Sequence, residues 1–214
     1  ARTLTALLEE SPALACLAFQ EEDAFSSLDG FFGSALFHGA LQNRGSLALS
    51  FGAWCVSRCQ EGGLAPEISA IAAIEREAAR LRRIEASGDA PLLPGHVRRR
   101  AGVGLLCTPA GSLEHYGALM AWIQESGGLE TVIGGQAPGQ PPGRPETADK
   151  EHLLFTHQDG GISWIDPELY GFLHACVEAI TLEAATDLLA LGAEGDETLE
   201  ILRDLESDGL LLVH

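Results

Sequence analysis

Cysteine residues are the first side chains of this sequence that could do chemistry, as metal ligands or as nucleophiles. Cys55 and Cys59 are four residues apart, so both lie on one face of a predicted helix. Two thiolates at that spacing could begin a zinc site, but no second Cys or His pair completes it. Because thiol side chains also behave as small apolar groups, the spacing favours a buried pair. We therefore assign no metal to this chain.

The histidines define no site by their spacing. His152 and His157 are five residues apart on a predicted strand, where an odd separation places their side chains on opposite faces. Glu114, His115 and Cys107 supply further acid–base or nucleophilic groups, but no His-Glu-x-x-His or Gly-x-Ser-x-Gly motif organises them. A stand-alone enzyme that uses Cys107 or His115 is one alternative. The favoured interpretation has no catalytic residue and no cofactor in this chain.

Arginine is concentrated in one stretch of the sequence. Seven of the 13 Lys and Arg residues fall between positions 76 and 100. Guanidinium groups bind carboxylates through two parallel hydrogen bonds, so this set suits an acidic peptide or the acidic surface of a partner. Pairing with acidic residues of the same chain is the alternative. The candidate docking residues are Arg76, Arg80, Arg83, Arg98, Arg99 and Arg100.

Charge and composition limit the classes of function. The formal net charge is −18, and the last 64 residues hold fourteen acidic side chains against one arginine, Arg203. Such a surface repels a phosphate backbone, so we expect no nucleic-acid partner. We expect no membrane association either, since no apolar run reaches the roughly 18 residues of a membrane helix. Five scattered cysteines favour reduced thiols in the cytoplasm.

The spacing of apolar residues predicts the elements that position these side chains. Helices are predicted where apolar residues recur three and four positions apart, and these helices span residues 3–10, 25–41, 47–59, 67–85 and 111–125. A strand is predicted over 97–107. The Pro- and Gly-rich stretch 134–150 predicts a linker. We thus expect a mainly helical partner-docking domain over 1–133, the linker, and a C-terminal domain over 151–214.

The C-terminal domain has the pattern of a small winged helix. Strands are predicted over 152–157 and 161–165, joined at Gln158-Asp159-Gly160-Gly161, and three helices and a closing strand over 210–213 follow. Asp166 and Thr181 are predicted helix caps, and Gly209 supplies a left-handed residue after the third helix. The expected fold class is α+β: a helical N-terminal domain followed by a winged-helix-like domain with a three-stranded sheet plus three helices.

This order of elements, with Asp-Gly-Leu-Leu before the last strand, resembles the PqqD-like recognition element of pathways for ribosomally made, post-translationally modified peptides. The resemblance implies that residues 151–214 bind the leader of a precursor peptide. An open sheet edge would take the peptide as an extra strand, and apolar pockets would fix its position. Core packing is the alternative for each candidate. The candidate peptide contacts are Leu154, Phe155, Ile162, Trp164, Leu199 and Leu202.

The N-terminal half is similar to partner proteins of the HvfC, MbnC and TglI type. The similarity lies in Leu49-Ser50-Phe51-Gly52-Ala53-Trp54, Leu64-Ala65-Pro66 and Ile74-Glu75-Arg76. It implies a heterodimer with a TIM-barrel, multinuclear iron oxidase, in which the partner enzyme holds the iron and this chain presents the peptide. A winged-helix DNA-binding regulator, with a recognition helix over 197–208, is the second alternative to this function.

Overall fold

Two compact units make up the chain in the computed structural model. Unit 1 comprises residues 1–80 and 108–151, and unit 2 comprises residues 81–107 and 152–214. The chain therefore passes from one unit to the other and back before it ends in unit 2. The structure describes residues 7–21, 24–84, 89–137, 139–143, 147, 149–157, 160–189 and 195–214.

Unit 1 is built from helices. In chain order they are α1 (Pro12–Glu21), α2 (Ala24–Phe32), α3 (Ala35–Gln42), α4 (Leu47–Gln60), α5 (Ile68–Leu81), α6 (Ser112–Glu125) and α7 (Leu129–Ile133). Residues 7–10 are also helical. Ser34 and Ser46 begin α3 and α4, and each hydroxyl accepts a hydrogen bond of 3.2 Å from the backbone N–H three residues further on. The predicted helix over 25–41 is therefore two helices, because Ser34 starts a new one.

Aromatic side chains form the centre of unit 1. Phe31 is fully buried, and its ring centroid lies 5.2 Å from that of Phe51, 5.4 Å from that of Phe37 and 6.0 Å from that of Trp54. The edge-to-face arrangement of Phe31 with Phe51 and Phe37 is favourable beyond simple burial. Apolar side chains of α1, α5 and α6 complete this core, so the helical periodicity in the sequence marks real packing positions.

A buried carboxylate joins α5 to the start of α1. Glu75 is 2 % exposed, and its two carboxylate oxygens accept hydrogen bonds from the N–H groups of Ala13 (2.9 Å) and Leu14 (3.1 Å). These N–H groups lie in the first turn of α1 and have no acceptor within that helix. Burial, and secondly the negative charge of Glu75, raise the pKa of the Cys16 thiol to about 11. The carboxylate thus caps a helix about sixty residues away in the sequence.

In its described residues, unit 2 combines strands with three helices. In chain order its elements are β1 (His96–Arg99), β2 (Val103–Pro109), β3 (Lys150–Thr156), β4 (Ile162–Ile165), α8 (Pro167–Ala175), β5 (Ile180–Thr181), α9 (Leu182–Leu189), α10 (Gly195–Ser207) and β6 (Leu211–Val213). The last residues of β2 and the first residues of β3 belong to unit 1. Asp166 caps α8 through a 2.7 Å bond from Leu169 N, and Thr181 caps α9 through a 3.2 Å bond from Ala184 N. Gly209 has a φ of 74° after α10. These three predictions are confirmed.

The strands form two antiparallel sheets. One has the order β5-β1-β6, with Val97 opposite both Ile180 and Val213. The other has the order β2-β3-β4, with Leu154 opposite Ser163. A core of apolar residues from β1, β2, β3, β6 and the three helices lies in this unit, and Val97, Leu173 and Leu211 are fully buried in it.

The α+β class, with a helical N-terminal region and a sheet-containing C-terminal portion, is confirmed. One expectation about the C-terminal strands is wrong. Residues 151–214 do not form a three-stranded sheet by themselves, because β3 and β4 pair with β2 while β5 and β6 pair with β1. The predicted strand over 97–107 is in fact two strands, one in each sheet. Two residues of the predicted turn, Gln158 and Asp159, lie outside the described residues.

The predicted domain limits need a correction for residues 81–107. We expected them in the helical domain over 1–133, but they belong to unit 2 because β1 is the central strand of a sheet completed by C-terminal strands. The predicted linker over 134–150 is grouped with unit 1. Within it, Pro142 O lies 2.9 Å from His115 Nε2, and Asp149 O accepts a 2.9 Å bond from Ala110 N.

We expect Glu75→Ala to lower the free energy of unfolding by about 3 kcal/mol, because two buried N–H groups lose their acceptor. Glu77→Ala, on the same helix, is the matched control: Glu77 pairs with the partly exposed Arg80, and its loss should cost less than about 1 kcal/mol. Urea denaturation followed by circular dichroism measures both. Equal losses in the two variants would contradict a capping role for Glu75.

Candidate functional site

Strand β4 is an edge strand with one free side. Thr156 N donates to Gly161 O at 3.1 Å, so the odd-numbered residues of β4 hold the positions that are hydrogen-bonded to β3. The backbone N–H and C=O groups of Ile162 and Trp164 therefore point away from β3, toward the outer edge. Among the described strands none pairs with that edge. Four main-chain hydrogen-bonding groups are thus presented along β4.

Two side chains of β4, those of Ser163 and Trp164, are exposed to solvent. Trp164 is 71 % exposed although Leu153, its partner on β3, is fully buried. Ser163 is exposed, and Ile162 is half-buried. An indole ring offers a large apolar area together with an N–H donor, and tryptophan is enriched at interfaces for that reason. Exposed tryptophan and open main chain therefore occur at the same residue.

Strand β6 is an edge strand of the other sheet, and in contrast to β4 its outward main chain is hydrogen-bonded to side chains. By its register with β1, the main chain of Leu211 and Val213 points away from β1. Glu206 accepts a 3.2 Å bond from Val213 N, and Arg100 Nε donates to Leu211 O at 3.0 Å. Side chains that satisfy an edge in this way block the addition of another strand. Of these two edges, β4 is the one that a peptide can join.

The six predicted peptide contacts divide into two groups. Leu154 (9 % exposed), Phe155 (1 %) and Leu202 (1 %) are buried side chains, and Leu154 and Leu202 belong to the unit 2 core. For these three the alternative of core packing describes their position, because β3 is buried on both faces at Leu154 and Phe155 and the apolar stripe of α10 faces inward. Trp164 and Leu199 are exposed, and Ile162 is half-buried, so these three are accessible to a ligand.

The predicted arginine surface is divided between the two units. Arg76 and Arg80 lie on α5 in unit 1. Arg80 is paired with Glu77 through two hydrogen bonds of 2.8 and 2.6 Å, which raise the pKa of its guanidinium. The stem of Arg76 crosses Gly52 of α4 so closely that a Cβ at that position would collide with Arg76 Cγ and Cδ. Pairing within the chain thus accounts for Arg80.

The other four arginines belong to unit 2. Arg98 Nη2 donates to Ala90 O. Arg100 binds the β6 main chain as described, and its Nη1 lies 4.0 Å from Asp89 Oδ2. Arg99 is half-buried on β1, whereas Arg83 is exposed. Arg98 and Arg100 therefore support the main chain of their own unit, a role that their position in the sequence does not reveal.

The sequence did not indicate a cluster of polar rings around Tyr170 in unit 2. The centroid of the Tyr170 ring lies 4.4 Å from that of His152 on β3 and 6.0 Å from that of His174, one turn further along α8. Burial, and secondly the negative charge of Cys107, raise the pKa of the Tyr170 hydroxyl, while Arg99 opposes this shift. The spacing of Tyr170 and His174 is visible in the sequence, but the other members come from different strands.

Cys107 joins this cluster through the pairing of β2 with β3. Ala110 N donates to Asp149 O, and His157 N donates to Gly102 O, both at 2.9 Å. One uninterrupted antiparallel register satisfies both bonds, and it places Cys107 directly opposite His152. This pair occupies a position without main-chain hydrogen bonds, where side chains approach most closely. Cys107 is exposed.

The remaining candidate groups are separate from this cluster. Cys55 is buried and Cys59 half-buried, and Cys59 Sγ donates to Ala65 O at 3.2 Å. His115 is buried in unit 1 and bonded to Pro142 O, so it has a structural contact of its own. Within the described residues, no group of three or more His, Cys, Asp or Glu side chains could hold a metal ion.

Comparison with known proteins gives no family. No protein-family model matches the sequence, and no curated protein matches it significantly. In the described part of the chain, no helix has the length and apolar character needed to cross a membrane. The geometry of the β4 edge and of the Tyr170 cluster is therefore the basis for the functional proposals.

The orientation of the β4 main chain can be tested with proline. We expect Ser163→Pro to lower the free energy of unfolding by about 3 kcal/mol, because it removes an N–H that is bonded to β3. Trp164→Pro removes an outward N–H and should cost about 1 kcal/mol or less. Both native side chains are exposed, so little packing is lost in either variant. Thermal or urea denaturation gives the comparison, and a larger loss for Trp164→Pro would show that the assigned orientation is wrong.

Proposed function

We propose that the chain binds an extended peptide along the outer edge of β4 and acts as a non-catalytic partner subunit in the biosynthesis of a ribosomally made, modified peptide. The bound segment is the leader of the precursor peptide. A TIM-barrel, multinuclear iron enzyme is the partner that modifies the peptide, and the two proteins form a heterodimer in the cytoplasm. The observation that carries the proposal is the open main chain of Ile162 and Trp164.

Main-chain hydrogen bonds account for the peptide's affinity without requiring a particular sequence. A strand added to β4 can use the N–H and C=O of Ile162 and of Trp164, and each such bond contributes about 1 kcal/mol net. Covering the Trp164 ring, which is 71 % exposed, adds about 1.5–3 kcal/mol. These gains must exceed the cost of ordering the peptide, so binding in the micromolar range is a reasonable expectation.

Specificity would come from side chains next to β4. A peptide strand alternates its side chains between the two faces of the sheet. On one face it would meet Ile162 and Trp164, and on the other it would meet Ser163 and Ile165. Leu199, exposed on α10, is a candidate for a further contact. Leu154, Phe155 and Leu202 would support the sheet from the core rather than touch the peptide.

The helical unit is the proposed docking surface for the iron enzyme. This part of the proposal rests on the similarity of its sequence to helical partner proteins. Arg76 is exposed on α5 of this unit, so its guanidinium group could meet carboxylates of the enzyme or of the peptide. Iron and the oxidative chemistry would belong to the enzyme.

A DNA-binding role is disfavoured by the surface of α10. In the winged-helix alternative this helix would enter the major groove, yet Glu197, Glu200 and Asp204 are all exposed on it. Carboxylates in that position are repelled by phosphate groups. Salt-sensitive binding to duplex DNA would nevertheless favour that function over peptide binding.

We expect Trp164→Ala to weaken binding of a fluorescent leader segment about tenfold, because the covered apolar area is lost. The probe is the labelled leader of a candidate precursor peptide of the proposed pathway, and fluorescence anisotropy reads the dissociation constant. Val177→Ala is the matched control, because Val177 is 50 % exposed but lies outside β4. Equal weakening by both variants, or no effect of Trp164→Ala, would rule out the β4 edge.

Docking to the enzyme needs a separate measurement. Co-expression with a candidate TIM-barrel iron enzyme of the proposed pathway should yield a complex with one copy of each chain on size-exclusion chromatography. Trp164→Ala should leave that complex intact, because the proposal assigns the enzyme to the helical unit. Separate elution of the two proteins would contradict the partner-subunit role but would leave peptide binding at β4 standing.

A further inference from the structure

We propose that Cys107 is a thiol–disulfide exchange site, at which a small, carboxylate-bearing disulfide such as glutathione disulfide forms a mixed disulfide with the protein. The site consists of Cys107 and side chains on three other elements of unit 2. His152 on β3 lies opposite Cys107, Tyr170 on α8 covers His152, and Arg99 is on β1. This site is independent of peptide binding at β4.

The cysteines of the chain differ in their access to a disulfide. Cys107 is exposed, whereas Cys16, Cys55 and Cys176 are buried and Cys59 is half-buried. Burial raises the pKa of the Cys16 and Cys176 thiols to about 11, so neither forms a thiolate at neutral pH. Since the thiolate is the attacking form, the raised pKa values disfavour exchange at Cys16 and Cys176, and exposure favours exchange at Cys107.

The register of β2 and β3 places the His152 imidazole on the same face of the sheet as the Cys107 thiol. Residues in a cross-strand pair without main-chain hydrogen bonds have Cβ atoms about 4.5–5.5 Å apart, which allows Cys107 Sγ to approach the His152 ring. The centroid of the His152 ring lies 4.4 Å from that of the Tyr170 ring, and this contact limits the positions of the His152 ring. His152 is thus placed to take the thiol proton, as imidazoles do beside other nucleophilic thiols.

The exchange step needs no reagent beyond the small disulfide. The Cys107 sulfur, after giving its proton to His152, attacks one sulfur of the disulfide. A new S–S bond forms between Cys107 and that sulfur, and the original S–S bond breaks. The departing thiolate recovers the proton from the imidazole. One small thiol is released for each protein molecule modified.

Charge around the site favours an anionic disulfide. The C-terminal segment is strongly acidic, but the positive charge of Arg99 acts on the Tyr170 hydroxyl, on which Cys107 also acts, and on the Cys176 thiol. The imidazole rings of His152 and His174 lie against the same Tyr170 ring. Carboxylates of a small disulfide can therefore be bound locally, although the net charge of −18 opposes their approach.

Distance excludes a peptide bound at β4 as the disulfide partner. Neighbouring strands are about 4.8 Å apart, so a strand added beyond β4 would lie about 14 Å from β2. The Cα atoms of a disulfide are only about 4.4–6.8 Å apart. A cysteine of the bound peptide therefore cannot reach Cys107, whereas a small molecule can approach Cys107 from solvent.

The test is reaction of the full-length reduced chain with glutathione disulfide, followed by intact-mass and peptide-mapping mass spectrometry. We expect one glutathione adduct, located at Cys107, and no adduct in Cys107→Ser. Cys59→Ser is the matched control and should keep the adduct. Modification of Cys59 at the same rate as Cys107, or an unmodified Cys107, would overturn the proposal.

Two further comparisons test the role of the neighbours. His152→Gln should slow adduct formation about tenfold at neutral pH, and the difference should close at alkaline pH, where the thiolate forms without a base. Tyr170→Phe keeps the ring packing and should react within about twofold of the native chain; an equally slow Tyr170→Phe variant would refute proton transfer to His152.

Cystamine, a cationic disulfide, should react more slowly than glutathione disulfide when each rate is divided by that of the urea-unfolded chain. The reverse order would overturn the proposed anionic specificity.

Discussion

The need to satisfy main-chain N–H groups organises this molecule, and glutamate side chains do much of that work. Glu75 supplies acceptors to the first turn of α1, and Glu206 accepts from Val213 on the β6 edge. Glu151 does the same at α6, where Gly111 N donates at 3.0 Å and Leu113 N at 2.8 Å. In a chain with 31 acidic residues, part of the negative charge is thus placed where helix N-termini and strand edges stabilise it.

The same requirement distinguishes the candidate binding edge at β4 from the edge at β6. At β6, Glu206 and Arg100 occupy the outward main chain. At β4, no strand and no side-chain hydrogen bond from the described residues closes the edge, and one of the two outward-pointing residues is Trp164, whose side chain is largely exposed. An edge left open in a protein that closes a comparable edge with specific side chains is a reason to assign it a ligand.

Arg100 illustrates how far residue type alone can indicate a role. Its place among Arg98, Arg99 and Arg100 predicted a binding surface, yet its guanidinium donates to a carbonyl 111 residues further along the chain. The prediction could not anticipate this contact, because charge patterns in a sequence do not distinguish a partner's carboxylate from a carbonyl of the same fold. The pairing of Cys107 with His152 was equally hidden, since it depends on the register between β2 and β3.

The sequence by itself determined the α+β class, the acidic C-terminal segment and most helices. Local signals act within about four residues, which is why the caps at Asp166 and Thr181 and the glycine at 209 were predicted correctly. Only the tertiary structure decided which strands pair, which edge stays open and which side chains surround Cys107. These features depend on hydrogen bonds between residues that are far apart in sequence. Their register is selected by the packing of the whole sheet and core, and no short stretch of sequence encodes it.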